Sequence, residues 1–154
     1  MLFKSHRGVH PNDKKAPANE AWISTIPQPP QVVIPMSQHI GAPCTPLVAV
    51  GDTVTVGQKI GEASAPVSAP VHASVSGKVL AIEPRLNNLG SMVTAIIIEN
   101  DFKDTPADTI APAPEEALSD PELIAGIIRE AGIVGMGGAT FPTAFKITSG
   151  WGKV

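Results

Sequence analysis

The chain has 154 residues and a formal net charge of −3 with no visible basic cluster, which excludes an electrostatic nucleic-acid surface and a polybasic membrane patch. The single cysteine, Cys44, excludes an internal disulfide and a four-cysteine zinc or iron–sulfur site built from this chain alone. Tyr is absent and aromatic residues make up 4%, so a core must come from Val, Ile, Leu and Ala, and the longest pure apolar runs, such as Ala95-Ile96-Ile97-Ile98, fall far short of the ~20 residues that cross a bilayer.

Residues 1–30 are polar and proline-rich and are expected to form an extended N-terminal arm. The N-terminus, MLFKSHRGVHP, lacks the apolar core of a signal peptide, so a cytosolic chain, or one peripheral on the cytosolic side, is expected. Ile26-Pro27-Gln28-Pro29-Pro30 is an extended lead-in, because a residue before proline is pushed toward β or polyproline conformations. Trp22 is expected to anchor the arm on the main body.

Residues 31–100 change character. Val32-Val33-Ile34, Leu47-Val48-Ala49-Val50, Val79-Leu80-Ala81-Ile82 and Met92-Val93-Thr94-Ala95-Ile96-Ile97-Ile98 are β-rich runs separated by Gly, Pro, Asn and Asp. Short strands with frequent turns predict a mainly β barrel or sandwich. Gly51-Asp52 and Asn87-Asn88-Leu89-Gly90 suit turns. Cys44, framed by Pro43 and Pro46, is read as a small, half-buried loop residue. His39 and His72 could suggest a metal pair, but no third ligand is evident, so both are read as hydrogen-bonding residues. Glu83 and Glu99 are read as solvated charges at strand ends.

Residues 101–118 are rich in proline, alanine and acidic residues and are expected to be a linker. A helix follows at about 120–131, capped by Ser119 or Asp120, with Pro121 in its first turn and Gly132 at its end. Leu123, Ile124, Ile127, Ile128 and Ala131 form its apolar stripe. Residues 119–154 are thus predicted to be a helix plus a glycine-rich loop, Gly135-Met136-Gly137-Gly138, where backbone comes close to something. Few residues follow that loop, so the segment is expected to be the start of a longer domain.

Val50-Gly51-Asp52-Thr53-Val54-Thr55-Val56-Gly57-Gln58-Lys59-Ile60 has the form V-G-D-x-V-x-x-G-Q-x-I. It resembles the first half of a biotinyl/lipoyl domain, and Ala69-Pro70 followed by Ser76-Gly77-Lys78-Val79 resembles the second. The resemblance implies a barrel-sandwich hybrid over residues 31–100. In biotin carriers the hairpin between the halves reads Glu-Ala-Met-Lys-Met. Here Glu62-Ala63 lead into Ser64-Ala65-Pro66, and Ala65 stands where the modified lysine would be. An amide-linked arm needs that amine. The hairpin, stiffened by Pro66 and Pro70, is therefore expected to be a docking surface of an unmodified module.

Three segments in order carry a more specific resemblance: Gly8-Val9-His10-Pro11; Val33-Ile34-Pro35-Met36-Ser37-Gln38-His39-Ile40-Gly41-Ala42-Pro43, continuing to Ser68-Ala69-Pro70-Val71-His72-Ala73-Ser74-Val75-Ser76-Gly77; and Arg129-Glu130-Ala131-Gly132-Ile133-Val134-Gly135-Met136-Gly137-Gly138-Ala139-Thr140-Phe141-Pro142-Thr143. They resemble the N-terminal part of the RnfC family, a component of Rnf-type electron transport complexes. This implies a protein peripheral on the cytoplasmic face of the membrane. The complex it implies moves electrons between ferredoxin and NAD and couples this to ion transport. FMN, 4Fe-4S clusters and NADH would belong to the full-length family protein, and none is expected on this chain alone. The partners implied are the other subunits of that complex.

The tail is also similar to the flavin mononucleotide and NADH loop of the complex I flavoprotein, G-x-x-G-x-G-G-A-G-F-P-T-x-x-K. Carried over, Gly135, Gly137 and Gly138 would offer backbone donors to a phosphate or dinucleotide, and Lys146 would be the cation near the flavin phosphate. Two positions depart from the pattern. Thr140 replaces the glycine before Phe-Pro-Thr, where a β-branched residue would crowd a positive-φ or close-contact position. Met136 replaces an arginine. No catalytic or metal-ligating residue is assigned. Three functions stay open: a structural and docking domain, a flavin- or NADH-binding fragment, and an unmodified interaction module.

Overall fold

The computed structural model describes residue 12, residues 14–87 and residues 89–151. The Gly8-Val9-His10-Pro11 motif and Asn88 of the predicted turn lie outside them. Among the described residues are seven strands and two α-helices: β1 (Gln31–Pro35), β2 (Thr45–Pro46), β3 (Thr53–Val54), β4 (Lys59–Glu62), β5 (Val71–His72), β6 (Gly77–Leu86), β7 (Met92–Asn100), α1 (Pro121–Glu130) and α2 (Thr143–Gly150). β1, β7, β6 and β3 form one sheet in that order, and β2, β4 and β5 form the other. Their inner faces make the mainly β barrel-sandwich hybrid that the two half-motifs imply.

β7 sits between β1 and β6, pairing antiparallel with both, in a register that sets Ile97 opposite Val33 on one side and Ala81 on the other. A strand covered on both faces tolerates an unbroken apolar run. Accordingly Ala95, Ile96, Ile97 and Ile98 are all buried. Ile96 and Ile98 join Ile34, Met36, Val54, Ile60, Val71, Val75 and Val79 in the core between the sheets. Alternation along the strand sends Ala95 and Ile97 to the other face. Full burial of one such side chain contributes about 1.5–3 kcal/mol.

The second sheet is built from strands of two to four residues, too short to stand alone. Its stability comes from burying Ile60 of β4 in the core shared with the first sheet, where Val54 of β3 is equally without exposed surface. Leu47–Val50 does not form the predicted strand. Leu47 and Val50 are exposed, and a tight turn intervenes in which Ala49 N donates to Asp52 Oδ2 at 2.8 Å and Asp52 N to Ala49 O at 3.2 Å. The local carboxylate outcompetes the β propensity of the run.

Trp22 does not anchor the arm: it is 95% exposed. The arm is tied down further along by backbone and amide bonds. Asn100 N donates to Pro30 O at 2.9 Å, Asn100 Nδ2 to Pro29 O at 3.0 Å, and Gln28 Nε2 to Asp104 Oδ2 at 2.6 Å.

The segment after β7 packs on the barrel despite its bland composition. Val56 N donates to Thr105 O and Ala107 N to Val56 O, both at 2.8 Å, and Ala107 is buried. Main-chain bonds hold it together with Ser76 Oγ, which accepts from Thr105 N at 3.0 Å and donates to Asp101 Oδ1 at 2.6 Å, so no apolar pattern marks it. A 3-10 helix (Glu115–Ser119) leads into α1. Asp120 caps α1, its Oδ1 accepting from Glu122 N at 2.9 Å and Leu123 N at 3.2 Å. Of the predicted stripe Ile124, Ile127 and Ile128 are half-buried, but Ala125 is the buried residue while Leu123 and Ala131 are exposed. The apolar stripe alone does not mark Ala125 as the buried residue. The sequence does not announce α2, since Thr143-Ala144-Phe145-Lys146-Ile147-Thr148-Ser149-Gly150 has weak helix formers and only a short apolar pattern. Among the described residues no helix is long and apolar enough to cross a membrane.

Candidate functional site

The carrier-like hairpin tip between β4 and β5 does not project. It folds onto the loop that follows β1. Ser64 Oγ donates to Pro43 O at 2.7 Å, Ser68 Oγ to Ala42 O at 2.9 Å, and Ala42 N to Val67 O at 3.1 Å. The His39 ring is engaged at both nitrogens: Nε2 lies 3.0 Å from Ala69 N and 3.1 Å from Ala69 O, and Nδ1 faces Ile40 O at 3.1 Å. His39 is thereby a buried hydrogen-bonding residue. The Cys44 thiol donates to Ala69 O at 3.0 Å and is buried, not half-buried; burial pushes its pKa up.

The tip is also held from the other side. Arg129 Nη2 of α1 donates to Ala65 O at 3.2 Å, so the residue at the carrier-lysine position is clamped through its own backbone. The polar groups of the tip are engaged within the chain, while Ser64 and Pro66 stay exposed on it. Lys59 Nζ lies 2.8 Å from Glu130 Oε2 and 3.0 Å from Glu62 Oε2. Glu130 and Glu62 hold the Lys59 pKa above its ordinary value, and Lys59 holds that of Glu62 below its own. These pairs are largely exposed, so each adds at most about 1 kcal/mol. They orient α1 more than they stabilise it.

His72 sits at the same joint, beside the Glu130 backbone. Burial lowers its pKa from 6.5, Glu130 opposes this, and the charge of Lys59 reinforces it. The unfolded chain therefore binds the proton more readily. Its contribution to stability is full above about pH 6.5 and is lost as pH falls through the depressed folded value. Urea midpoints are expected to drop between about pH 7.5 and about pH 5.5, and His72→Gln is expected to flatten that drop. An equal drop in both proteins would remove His72 as its cause. Glu62 acts in a separate, more acidic window.

The glycine-rich loop follows α1. Val134 bridges to Pro142, Gly135 N donates to Phe141 O at 2.8 Å, and Thr140 N donates to Gly137 O at 2.9 Å, closing a four-residue turn. Thr140 does adopt positive φ, 43°, as its place in the glycine pattern suggests. Its hydroxyl donates to Gln38 O at 2.9 Å, and Ile40 N donates to Ala139 O at 3.1 Å. The turn is thus bolted to the loop after β1. A small cleft of about 130 Å³ separates them further in, lined by Gln38, His39, Pro70, His72, Gly132 and Val134.

Of the four carried-over residues, Gly135 and Lys146 come together: a Cβ on Gly135 would lie 3.7 Å from Lys146 Nζ. Lys146 Nζ stands 5.5 Å from the Phe141 ring centroid, a cation–π distance. Gly135 is not an open donor, since its N–H already bonds Phe141 O. Gly137 and Gly138 are exposed and face open space. Sequence reasoning missed the contributions of Gln38, Ile40 and Arg129, whose partners lie 64 or more residues away. Among the described residues no group of three or more His, Cys, Asp or Glu side chains could hold a metal ion.

Comparison with known proteins agrees with this architecture. The family model described as the RnfC barrel sandwich hybrid domain matches residues 3–103. Three relatives are the proteins named as the C subunits of bacterial ion-translocating oxidoreductase complexes. The chain is 48% identical over 140 residues to that of the Na(+)-translocating ferredoxin:NAD(+) oxidoreductase complex of Acetobacterium woodii, covering 91% of this chain and 32% of that protein. It is 47% identical over 148 residues to that of the proton-translocating ferredoxin:NAD(+) oxidoreductase complex of Clostridium ljungdahlii, covering 95% of this chain and 32% of that protein. It is 41% identical over 150 residues to that of the ion-translocating oxidoreductase complex of Rhodobacter capsulatus, covering 94% of this chain and 28% of that protein. The chain thus spans about a third of the length of these relatives. With a barrel of the matching fold and a family model covering most of it, the chain belongs to the RnfC barrel-sandwich hybrid family.

Proposed function

We propose that this chain is the N-terminal structural and docking domain of the RnfC component of an ion-translocating ferredoxin:NAD oxidoreductase complex, held at the cytoplasmic face of the membrane by its partner subunits and not itself catalytic. One observation carries the non-catalytic part. The carrier-like hairpin presents Ala65 at the lysine position and is locked down by Arg129, so it can neither accept nor swing a cofactor. The hairpin is then a body element that fixes α1 and the loop beyond it. FMN, iron–sulfur clusters and NADH belong, on this reading, to the rest of the RnfC protein. Co-expressed with the remaining subunits, the tagged chain is expected to co-purify with at least one of them. Recovery of the chain alone, with the untagged subunits assembled without it, would reject docking.

A second reading is favoured by Gly137 and Gly138. Neither has positive φ, and a Cβ on either would meet nothing within 4 Å. The chain's own packing leaves this backbone open, as it also does at Gly126. What links the open turn to a ligand is its likeness to the flavin loop, in which such backbone approaches a phosphate. On this reading the Gly137-Gly138 backbone and Lys146 bind the phosphate of a flavin mononucleotide or dinucleotide. FMN supplies hydride and single-electron chemistry when bound; the residues here only bind and orient. The third reading, an unmodified biotinyl/lipoyl-like interaction module, shares the docking role and needs no nucleotide.

A further inference from the structure

We infer that the barrel itself positions the glycine turn, and that Thr140 is the positioning residue through which it does so. This rests on the flavin or nucleotide reading of the loop and adds what aims it. Thr140 is β-branched and sits at φ 43°, a conformation that such residues avoid. Strain of this kind persists only where surrounding contacts over-determine it. Here the contact is the Thr140 hydroxyl on Gln38 O, made beside the Ile40 N bond to Ala139 O. A glycine would relax the backbone but lose the hydroxyl.

The receiving segment is rigid for reasons of its own. Gln38 Nε2 donates to Pro35 O at 3.0 Å, and the His39 ring is bound at both nitrogens. Next to them Ala42 N bonds Val67 O in the locked hairpin tip. The Ser37-Gln38-His39-Ile40-Gly41-Ala42-Pro43 loop thus joins three elements: β1, the hairpin tip and the glycine turn. Through it the open backbone of Gly137 and Gly138 is held at a fixed place relative to the barrel, ahead of any ligand. Such preorganisation raises affinity by removing the ordering cost at binding.

The test compares Thr140→Val, which keeps the shape and removes the hydroxyl, with Thr140→Ser, which keeps the hydroxyl, in the 154-residue chain. Hydrogen exchange is followed at the Thr140 and Ile40 amides, with β6 and β7 amides as the folding control. In Thr140→Val the two turn amides are expected to exchange roughly 10-fold faster or more while the control amides are unchanged, and Thr140→Ser is expected to restore protection. FMN binding, read by quenching of flavin fluorescence, is expected to weaken roughly 10-fold in Thr140→Val and recover in Thr140→Ser. Unchanged turn exchange in Thr140→Val overturns the proposal. So does equal FMN affinity in all three proteins, which would leave the nucleotide reading standing. Faster turn exchange with FMN bound by none of them removes the nucleotide reading and limits Thr140 to anchoring the loop. Global loss of β6 and β7 protection in Thr140→Val also counts against it, since the role would then be structural.

Discussion

Gly77→Ala is expected to destabilise the barrel by at least about 3 kcal/mol, which for a chain of this length lowers Tm by roughly 6 °C or more. Gly77 opens β6 and pairs with Asn100 of β7 on one side and Val54 of β3 on the other. Its φ is 153°, and a Cβ placed there would lie 1.8 Å from Glu99 O and 3.2 Å from Asp101 N. Both obstacles are backbone. Glu99 is fixed by its own pairing with Gln31 and Lys78, so it cannot retreat without opening the sheet. Gly126→Ala provides the contrast. Gly126 lies in α1 with nothing within 4 Å of an added Cβ, and alanine there is expected to be neutral or to stabilise by up to about 1 kcal/mol. Thermal melts of the two variants check this, and a Gly77→Ala protein melting within a degree or so of the parent would refute the close-approach argument.

Gly41→Ala is expected to cost about 2–3 kcal/mol and, unlike Gly77→Ala, to act locally at the candidate site. Gly41 has φ 108°, and its Cβ would lie 2.1 Å from Val67 O and 2.8 Å from Val67 Cγ1. Val67 O is also the acceptor for Ala42 N. Relief requires the loop after β1 and the hairpin tip to part. That breaks the Ala42–Val67 bond directly and strains the bonds of Ser68 and His39 that flank it. The sheet between β6 and β7 makes no use of this contact. Amide exchange is therefore expected to rise at Ala42 and Ala69 and to stay slow along β7, with a lower urea midpoint. Uniformly unchanged exchange at Ala42 and Ala69 would show that the loop and tip are not coupled as described. The ion pairs of Lys59 cannot compensate, because exposed pairs of about 1 kcal/mol or less are outweighed by a backbone clash.

Two features are legible in the sequence because they depend on local rules. The apolar run of β7 marks a strand, and Ser119 or Asp120 before Pro121 marks the start of α1. The barrel-sandwich is legible through the resemblance of the two halves around Val50–Ile60 and Ala69–Val79 to a biotinyl/lipoyl domain. The absence of a lysine at Ala65 is equally plain, and with it the loss of carrier chemistry. The glycine pattern also draws attention to Thr140, since it breaks a run where glycine is otherwise used.

Other assignments fail where non-local or main-chain contacts decide. Trp22 has the composition of an anchor, yet it is 95% exposed, because the arm is held by the backbone and amide groups of Gln28, Pro29, Pro30 and Asn100. Residues 105–107 lack an apolar face but bind Val56 through backbone bonds that any sequence could make. The sequence by itself determined the strand-rich character, the capped helix and the missing attachment lysine, since periodicity, caps and turn residues act between near neighbours; the family was legible only through the resemblance of its quoted segments. Only the tertiary structure decided that the hairpin tip is locked, that Arg129 clamps Ala65, and that Gln38 and Ile40 hold the Thr140 turn. Those bonds end on backbone carbonyls and amides, which every residue carries alike, and only the folded chain brings them within reach.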